Sequence, residues 1–252
     1  MNARVRILNG TFDALTMQEA ADAVFGFLHS GRRGWLSTVN VAMLMSMRRD
    51  SALQSFVDRA AIVVADGQPL VWCAPLFDGR LPERVAGIDL IEAVCTRAEN
   101  AQVGVYLLGS TTPLLGRAMA NLGSRYPNLR IDGSDGYFAL EEEEARADAI
   151  AATHSAILLV GMGSPRQEEF IQRQWNRLGV GVAIGVGGSF DVLAGHRFRA
   201  PLPLRRAGLE WLVRLVQEPT RLLPRYLISN SLFSWLIINT LMTRLKGWIR
   251  SL

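Results

Sequence analysis

The chain has 252 residues, enough to bury one sizeable core, and 49% of them are hydrophobic. Its 27 Lys+Arg and 23 Asp+Glu give a net charge of +4, and its mean hydropathy is +0.16. No uninterrupted apolar run approaches the roughly 18–20 residues that a membrane crossing needs, and residues 1–12 have no apolar signal region. We therefore expect neither a membrane-spanning nor an exported protein. The two cysteines lie in apolar stretches, typical of buried free thiols in a reducing compartment.

Six short apolar runs, each followed by a Gly-rich or polar loop and most then by a helical pattern, predict six strands. They cover residues 35–39, 61–64, 103–108, 129–131, 156–160 and 180–186. Strands that alternate with helices favour a mostly parallel sheet with helices on both faces. We therefore predict an α/β, Rossmann-like fold. Ligands of such sheets bind beyond the carboxyl ends of the strands, so the loops after these runs should supply the site.

The basic residues are concentrated at the C-terminal end. Residues 197–252, which we name the C-terminal segment, hold 10 of the Lys+Arg and 2 of the Asp+Glu, so the segment carries +8 and the rest of the chain −4. The composition changes near residues 197–203. We predict a core over residues 1–196 and a basic, partly helical appendage over 197–252 that covers the site. Its basic residues alternate with Trp and Leu, which argues against a nucleic-acid partner.

Apolar residues with approximately helical spacing follow Tyr226. They are Leu232, Trp235, Leu236, Met242, Leu245 and Ile249. A basic helix that bears tryptophans is typical of a membrane interface, with Trp235 and Trp248 at the level of the lipid headgroups. The alternative is a helix packed on the body of the protein or on another subunit, and a homo-oligomer stays open.

Polar residues follow the first two predicted strands. Thr38 and Asn40 stand at the end of the first strand and are either satisfied loop caps or a hydrogen-bonding pair for a hydroxylated ligand. Asp66 follows the second strand and precedes Gly67. This pattern is typical either of an Asp-Gly turn or of a carboxylate that acts as a general base.

Three further loops are candidates for binding an anion. Arg84 forms a surface ion pair or binds a phosphate, and Gly109 and Ser110 precede either an ordinary capped helix or a helix N-terminus that binds an anion. The loop that contains Gly163 begins like a dinucleotide fingerprint but has Arg166 where the third glycine should be. No Walker lysine and no cluster of metal ligands is present in the sequence, so we expect no metal ion and no cofactor.

These stretches occur together with others in a characteristic order from about Arg6 to Tyr226. They are Thr38-Val39-Asn40, Ala65-Asp66-Gly67, Pro82-Glu83-Arg84-Val85-Ala86-Gly87, Leu108-Gly109-Ser110, residues 161–168 (GMGSPRQE), residues 185–191 (GVGGSFD), Arg199-Ala200-Pro201, residues 208–215 (GLEWLVRL), Glu218-Pro219-Thr220-Arg221 and Arg225-Tyr226. In this order they resemble the WecG/TagA/CpsF glycosyltransferase family (glycosyltransferase family 26).

The resemblance implies an inverting, metal-independent transfer of a sugar from a UDP-sugar to an undecaprenyl-diphosphate-linked sugar. The donor would be UDP-glucose, UDP-N-acetylmannosamine or its uronic acid, and the reaction would belong to polysaccharide biosynthesis. The resemblance further implies a peripheral protein on the cytoplasmic face of the bacterial inner membrane. The resemblance makes Asp66 the catalytic base with Thr38 and Asn40 beside it. It also implies that Gln167 and Asp191 are polar site residues. The arginines Arg214, Arg221 and Arg225 would fold over the site and contact phosphates.

The chemistry of such a transfer agrees with the residues available. A base must remove the proton of the acceptor hydroxyl, and the leaving UDP gains negative charge that arginines or helix N-termini can stabilise without a metal. Arginine suits a diphosphate because its fork binds two oxygens together. A non-catalytic, membrane-associated sugar-nucleotide-binding or scaffold protein is the alternative, and it would bind UDP without transferring a sugar.

Overall fold

The computed structural model describes the backbone of residues 3–250 and the side chains of residues 3–244. Eight strands are present in this range. They are β1 (Arg4–Ile7), β2 (Gly10–Asp13), β3 (Gly34–Val39), β4 (Ile62–Ala65), β5 (Val105–Gly109), β6 (Ile131–Ser134), β7 (Ile157–Gly161) and β8 (Val182–Gly185). Six of them form one sheet in the order β4-β3-β8-β7-β5-β6, and every neighbouring pair in it is parallel. The predicted α/β, Rossmann-like fold is confirmed.

Helices cover both faces of this sheet. They are α1 (Met17–His29), α2 (Val41–Met47), α3 (Ser51–Asp58), α4 (Gln68–Cys73), α5 (Gly87–Asn100), α6 (Thr112–Arg125), α7 (Glu143–Ala152), α8 (Arg166–Gln174), α9 (Ser189–Leu193), α10 (Leu202–Arg206), α11 (Glu210–Gln217) and α12 (Pro219–Arg250), with short 3-10 turns at Ala74–Phe77 and Leu140–Glu142. One buried cluster joins the sheet to α2, α3, α4, α7, α8 and α12, and a second joins it to α1, α5, α6 and α9.

The apolar runs form strands here because both faces of each central strand are covered. Leu158 and Val160 of β7 lie in the first buried cluster, while Ile157 and Leu159 lie in the second. Side chains of a strand alternate between faces, so a strand covered on both sides must be apolar at every position. This requirement explains why continuous apolar runs in the sequence predict the central strands.

The sequence pattern did not predict the antiparallel hairpin of β1 and β2. The hairpin packs beside β4, where the Asp13 carboxylate accepts a hydrogen bond of 2.8 Å from the Val63 backbone N–H. It thereby covers one edge of the sheet and satisfies a donor that the edge would expose. At the other edge, β6 begins two residues later than the predicted run, ends three residues later, and includes Asp132. Polar residues are tolerated there because an edge strand is only partly buried.

The C-terminal segment forms α10, α11 and the 32-residue helix α12. Pro224 lies inside α12 without ending it, and the chain bends instead at Glu218 between α11 and α12. One face of α12 packs against α2, with Phe233 buried in the core and Leu236 partly buried. The sequence-based alternative of a helix packed on the body is therefore correct for this face.

The opposite face of α12 is apolar and exposed. Its exposed side chains include Leu227, Ile228, Trp235, Ile238, Leu241 and Met242. Trp248, predicted to lie at headgroup level, falls outside the residues whose side chains are described. Across the described helices, none combines the length and the apolarity needed to cross a bilayer.

Candidate active site

The candidate site lies where the carboxyl ends of β3, β4, β7 and β8 meet the start of the C-terminal segment. Asp66 follows β4 directly, and its backbone N–H donates to the Val39 carbonyl at 2.9 Å, which extends the pairing of β3 and β4 by one residue. Val85 N–H donates to the Ala65 carbonyl at 2.9 Å. This bond lays the chain from residue 82 alongside the end of β4, and it brings Arg84 close to Asp66.

Asp66 is partly exposed, yet its carboxyl is surrounded by protein. Loss of solvation raises its pKa from 3.8 to about 6. Arg214 and Arg84 oppose this rise, as does a hydrogen bond from the Gly87 backbone, while Glu210 adds to it. A carboxylate whose pKa lies near neutrality can accept a proton from a substrate hydroxyl at physiological pH.

Arg84 and Arg214 share one carboxylate. Arg84 Nη2 lies 2.8 Å from Glu210 Oε2, and Arg214 Nη2 lies 3.5 Å from Glu210 Oε1. The Arg84 side chain is 15% exposed and that of Glu210 is 7% exposed, so this ion pair is not on the surface. Arg84 therefore forms an ion pair, but the prediction that this pair lies on the surface is wrong, because both side chains are mostly buried. The partner, Glu210, comes from the C-terminal segment.

Thr38 and Asn40 are engaged in local structure beside Asp66. Thr38 Oγ1 donates to the Gly185 carbonyl at 2.8 Å, which ties β3 to the end of β8. Asn40 Oδ1 accepts from the Met43 N–H at 3.0 Å and so caps α2. Within the described residues, the Asn40 amide nitrogen makes no hydrogen bond. Asn40 can therefore cap the helix and still offer a donor to a ligand.

Gln167 and Glu168 lie buried at the start of α8. Gln167 Oε1 accepts from the Gly187 N–H at 3.1 Å, and its Nε2 donates to Glu168 Oε1 at 2.7 Å. These two bonds fix the orientation of the Gln167 amide. Burial raises the pKa of Glu168, although Arg225 acts in the opposite direction. Gly163, in the preceding loop, has a positive φ of 80°, a conformation that favours glycine.

Ser110 and Asp191 belong to a chain of contacts that crosses into the C-terminal segment. Ser110 Oγ donates to Asp191 Oδ1 at 2.8 Å, and Asp191 Oδ2 lies 3.0 Å from Arg197 Nη2. Arg197 in turn pairs with Glu218 at 2.5 Å, and Glu218 pairs with Arg221 at 2.5 Å. This network ties the end of β5 to the first turn of α12.

Gly109 permits close approach of two strand ends next to this network. A Cβ atom on Gly109 would lie 2.5 Å from the backbone of Gly161, and the residue has a φ of 150°. Thr111 is the N-cap of α6 but makes no side-chain capping bond. The sequence allowed either an ordinary capped helix or an anion site here, and the backbone N–H groups at this N-terminus are left without a side-chain cap.

The charges of three arginines of the C-terminal segment act on Tyr226. Burial raises the pKa of the Tyr226 hydroxyl, and the positive charges of Arg214, Arg225 and Arg221 act in the opposite direction. The Tyr226 ring packs edge-on against Trp211, with 6.0 Å between ring centroids. Arg214 lies on α11 and Arg221 and Arg225 lie on α12, and the packing of these two helices against each other brings the three arginines towards Tyr226.

Sequence reasoning assigned no role to Glu168, Glu210 or Glu218, although all three lie among the site residues. A signal was present for two of them. Glu210 and Glu218 are the two acidic residues of a segment that holds ten basic ones. Isolated carboxylates in so basic a segment are natural partners for its arginines, and the ion pairs bear this out.

The arrangement brings a carboxyl with a near-neutral pKa next to arginines that can hold a diphosphate. Among the side chains described, no three His, Cys, Asp or Glu residues come together in a way that could hold a metal ion. The family model described as "Glycosyl transferase WecG/TagA/CpsF family" matches residues 5–247, nearly the whole chain. The predicted resemblance is thus confirmed, and the chain belongs to the WecG/TagA/CpsF family of glycosyl transferases.

Proposed function

We propose that this glycosyl transferase moves a sugar from a UDP-sugar to a hydroxyl of a sugar linked to undecaprenyl diphosphate, with inversion and without a metal ion. The observation that carries this proposal is the Asp66 carboxyl. It lies at the carboxyl edge of the sheet, its pKa is raised to about 6, and Arg84 and Arg214 act on it. A base and cations for a leaving diphosphate are the two requirements of such a transfer.

In the proposed step, Asp66 takes the proton of the acceptor hydroxyl while the hydroxyl oxygen attacks the anomeric carbon of the donor. The new bond to the acceptor oxygen forms on the face opposite the bond to UDP, and the latter bond breaks. The electron pair of that bond leaves on the diphosphate, so UDP departs with an added negative charge. The sugar passes through a state resembling an oxocarbenium ion, by analogy with glycoside hydrolysis.

Arginines supply the positive charge that the leaving group requires. The charges of Arg84 and Arg214 act on Asp66, and those of Arg221 and Arg225 act on Tyr226, on which Asp66 also acts. Arg225 also acts on buried Glu168, whose neighbour Gln167 presents a fixed amide. We assign Gln167, Ser110 and Asp191 to donor recognition, because they line the strand ends on the side away from Asp66.

We place the protein on the cytoplasmic face of the inner membrane as a peripheral protein. The support is the exposed apolar face of α12, which includes Trp235 and Ile238, in a segment with a net charge of +8. A basic amphipathic helix binds an anionic bilayer through its apolar face and its positive charge together. A lipid-linked acceptor would be available at the same surface.

The experiment is a measurement of UDP release in EDTA from UDP-glucose, UDP-N-acetylmannosamine and its uronic acid. Each donor is tested with and without an undecaprenyl-diphosphate-linked sugar. We expect release from one donor that depends on the acceptor and persists in EDTA. UDP binding without release from any donor would favour the non-catalytic, sugar-nucleotide-binding alternative. Release that EDTA abolishes would overturn the metal-independent mechanism.

A further inference from the structure

Asp66 forms no ion pair with an arginine within the described residues, although two arginines act on it. Both of these, Arg84 and Arg214, direct a guanidinium group at Glu210 instead, at 2.8 and 3.5 Å. Glu210 is only 5% exposed, so its carboxylate depends on these two partners for stabilisation. The position of the arginines is therefore set by Glu210 rather than by Asp66.

The pairing of these arginines with Glu210 rather than with Asp66 affects how well Asp66 can act as a base. A carboxylate held by one or two guanidinium groups is stabilised in its charged form and binds a proton weakly. An aspartate captured in this way would be a poor acceptor for the proton of a sugar hydroxyl. Cations are nevertheless needed close by if a diphosphate is to leave. The two requirements conflict unless a second anion holds the arginines.

We propose that Glu210 is a positioning residue: it binds the guanidinium groups of Arg84 and Arg214 and so prevents them from pairing with the Asp66 carboxylate. Arg84 belongs to the loop before α5 and Arg214 to α11, so Glu210 also joins the core to the C-terminal segment. The catalytic meaning of this inference rests on the proposed function, in which Asp66 is the base. The structural claim, that Glu210 sets the charge around Asp66, is independent of turnover.

The groups that face Asp66 come from several elements. They are Arg84 in the loop before α5, Gly87 N–H at the start of α5, Arg214 and Glu210 on α11, and the Tyr226 hydroxyl on α12. Glu218 is a matched control, because it too is an acidic residue of the C-terminal segment that pairs with two arginines. Its partners Arg197 and Arg221 are not among the groups that act on Asp66.

The experiment titrates the side-chain carbon Cγ of Asp66 by NMR in the full-length protein labelled at aspartate, with Asp66→Asn to assign the signal. We expect a midpoint of about pH 6 in the unmodified protein. In Glu210→Gln the midpoint should fall by about one pH unit or more, because Arg84 and Arg214 are released towards Asp66. Glu218→Gln should leave the midpoint unchanged. An unchanged midpoint in Glu210→Gln, or an equal shift in Glu218→Gln, would overturn the inference.

A second variant covers the case in which Glu210→Gln fails to fold because Arg84 is left without a partner. The double variant Glu210→Gln with Arg84→Gln removes both charges of the ion pair. Only Arg214 is then released towards Asp66, so the midpoint should lie below that of Arg84→Gln alone, in which Glu210 still holds Arg214. A midpoint in the double variant equal to or above that of Arg84→Gln would contradict the inference.

The proposed function is tested separately by acceptor-dependent UDP release in the same variants. If the Asp66 midpoint falls in Glu210→Gln but the unmodified protein transfers no sugar, the inference holds and the proposed function fails. If transfer occurs and the midpoint does not move, the proposed function holds and the inference fails. If both hold, the acidic limb of the pH–rate profile should shift to lower pH in Glu210→Gln and not in Glu218→Gln.

Discussion

The core supplies chiefly carboxylates to the site and the C-terminal segment chiefly arginines, and the two groups of side chains are held in different ways. The core places Asp66 directly after β4, and Glu168 and Asp191 in the first turns of α8 and α9, the helices that follow β7 and β8. The segment presents its arginines on partly exposed helices, with the Arg221 side chain 62% exposed. Packing therefore positions these carboxylates, whereas ion pairs to Glu210 and Glu218 of the same segment hold Arg214 and Arg221. We therefore expect substitutions in the core and substitutions in the segment to differ in their effects on turnover, stability and ligand binding.

The sharpest test of this comparison is a substitution of the proposed base, Asp66. Asp66→Asn should reduce acceptor-dependent transfer by about 10²–10⁴-fold, the range that general-base catalysis contributes. UDP should still bind, because the arginines and the strand ends are unchanged. The rate is measured as UDP release and the affinity by calorimetry. Asp148→Asn, on the exposed side of α7, is the control and should behave like the unmodified protein. Near-normal turnover in Asp66→Asn would remove Asp66 from the role of base.

The same substitution should stabilise the fold. Because the pKa of Asp66 rises from 3.8 to about 6 on folding, the folded state favours the protonated form, and stability is lost as pH rises through this range. Asn mimics the neutral carboxyl, so Asp66→Asn should gain up to about 3 kcal/mol above pH 6.

This gain should depend on pH in a way that a packing effect would not. Urea unfolding should show a gain about 1 kcal/mol larger at pH 8 than at pH 5, since at pH 5 much of the unmodified folded protein already carries the proton. A gain equal at both pH values would mean that Asp66 is not desolvated in the folded state.

On the other side of the comparison, single arginines should affect binding more than folding. Arg225→Ala should weaken binding of UDP or of the lipid-diphosphate acceptor by about 10-fold or more, the cost of one charge-assisted hydrogen bond. Arg221→Ala should have a similar direction, although its pairing with Glu218 leaves less of its charge for a ligand. Melting temperatures of both variants should stay close to that of the unmodified protein.

Arg117→Ala is the control for these variants. Arg117 is an exposed arginine on α6, and within the described residues it forms no ion pair. Its removal lowers the net charge by the same amount without touching the site. If Arg225→Ala and Arg221→Ala both bind and react like Arg117→Ala, then the C-terminal segment is not part of the site.

The sequence predicted the central sheet well and its edges poorly. Fully buried strands such as β7 are apolar on both faces and therefore stand out, whereas β6 carries Asp132 and the hairpin begins with Arg4, because edges tolerate polar residues. The sequence also indicated Asp66 and the arginines as candidates. It could not show that Glu210 holds Arg84, since those residues are far apart in the sequence.

The form of the C-terminal helix was only partly predictable for a related reason. Helical spacing after Tyr226 was visible, but a helix with two apolar faces does not reveal which one the core covers. The structure buries Phe233 against the core and leaves Trp235 60% exposed. α12 also continues through Pro224, which lies inside the helix.

The smallest effect that we expect is on membrane binding through the exposed apolar face of α12. Trp235→Ser should reduce association with anionic liposomes by about a few-fold, because a single side chain supplies only part of the apolar area and the basic charge remains.

Tyr137→Ser is the control, since Tyr137 is a similarly exposed aromatic residue after β6 and outside α12. Co-sedimentation measures the bound fraction, and raised salt should weaken binding of all variants. Equal binding by Trp235→Ser and Tyr137→Ser would mean that the exposed face of α12 does not contact lipid, and the remaining support for membrane association would be the charge of the C-terminal segment alone.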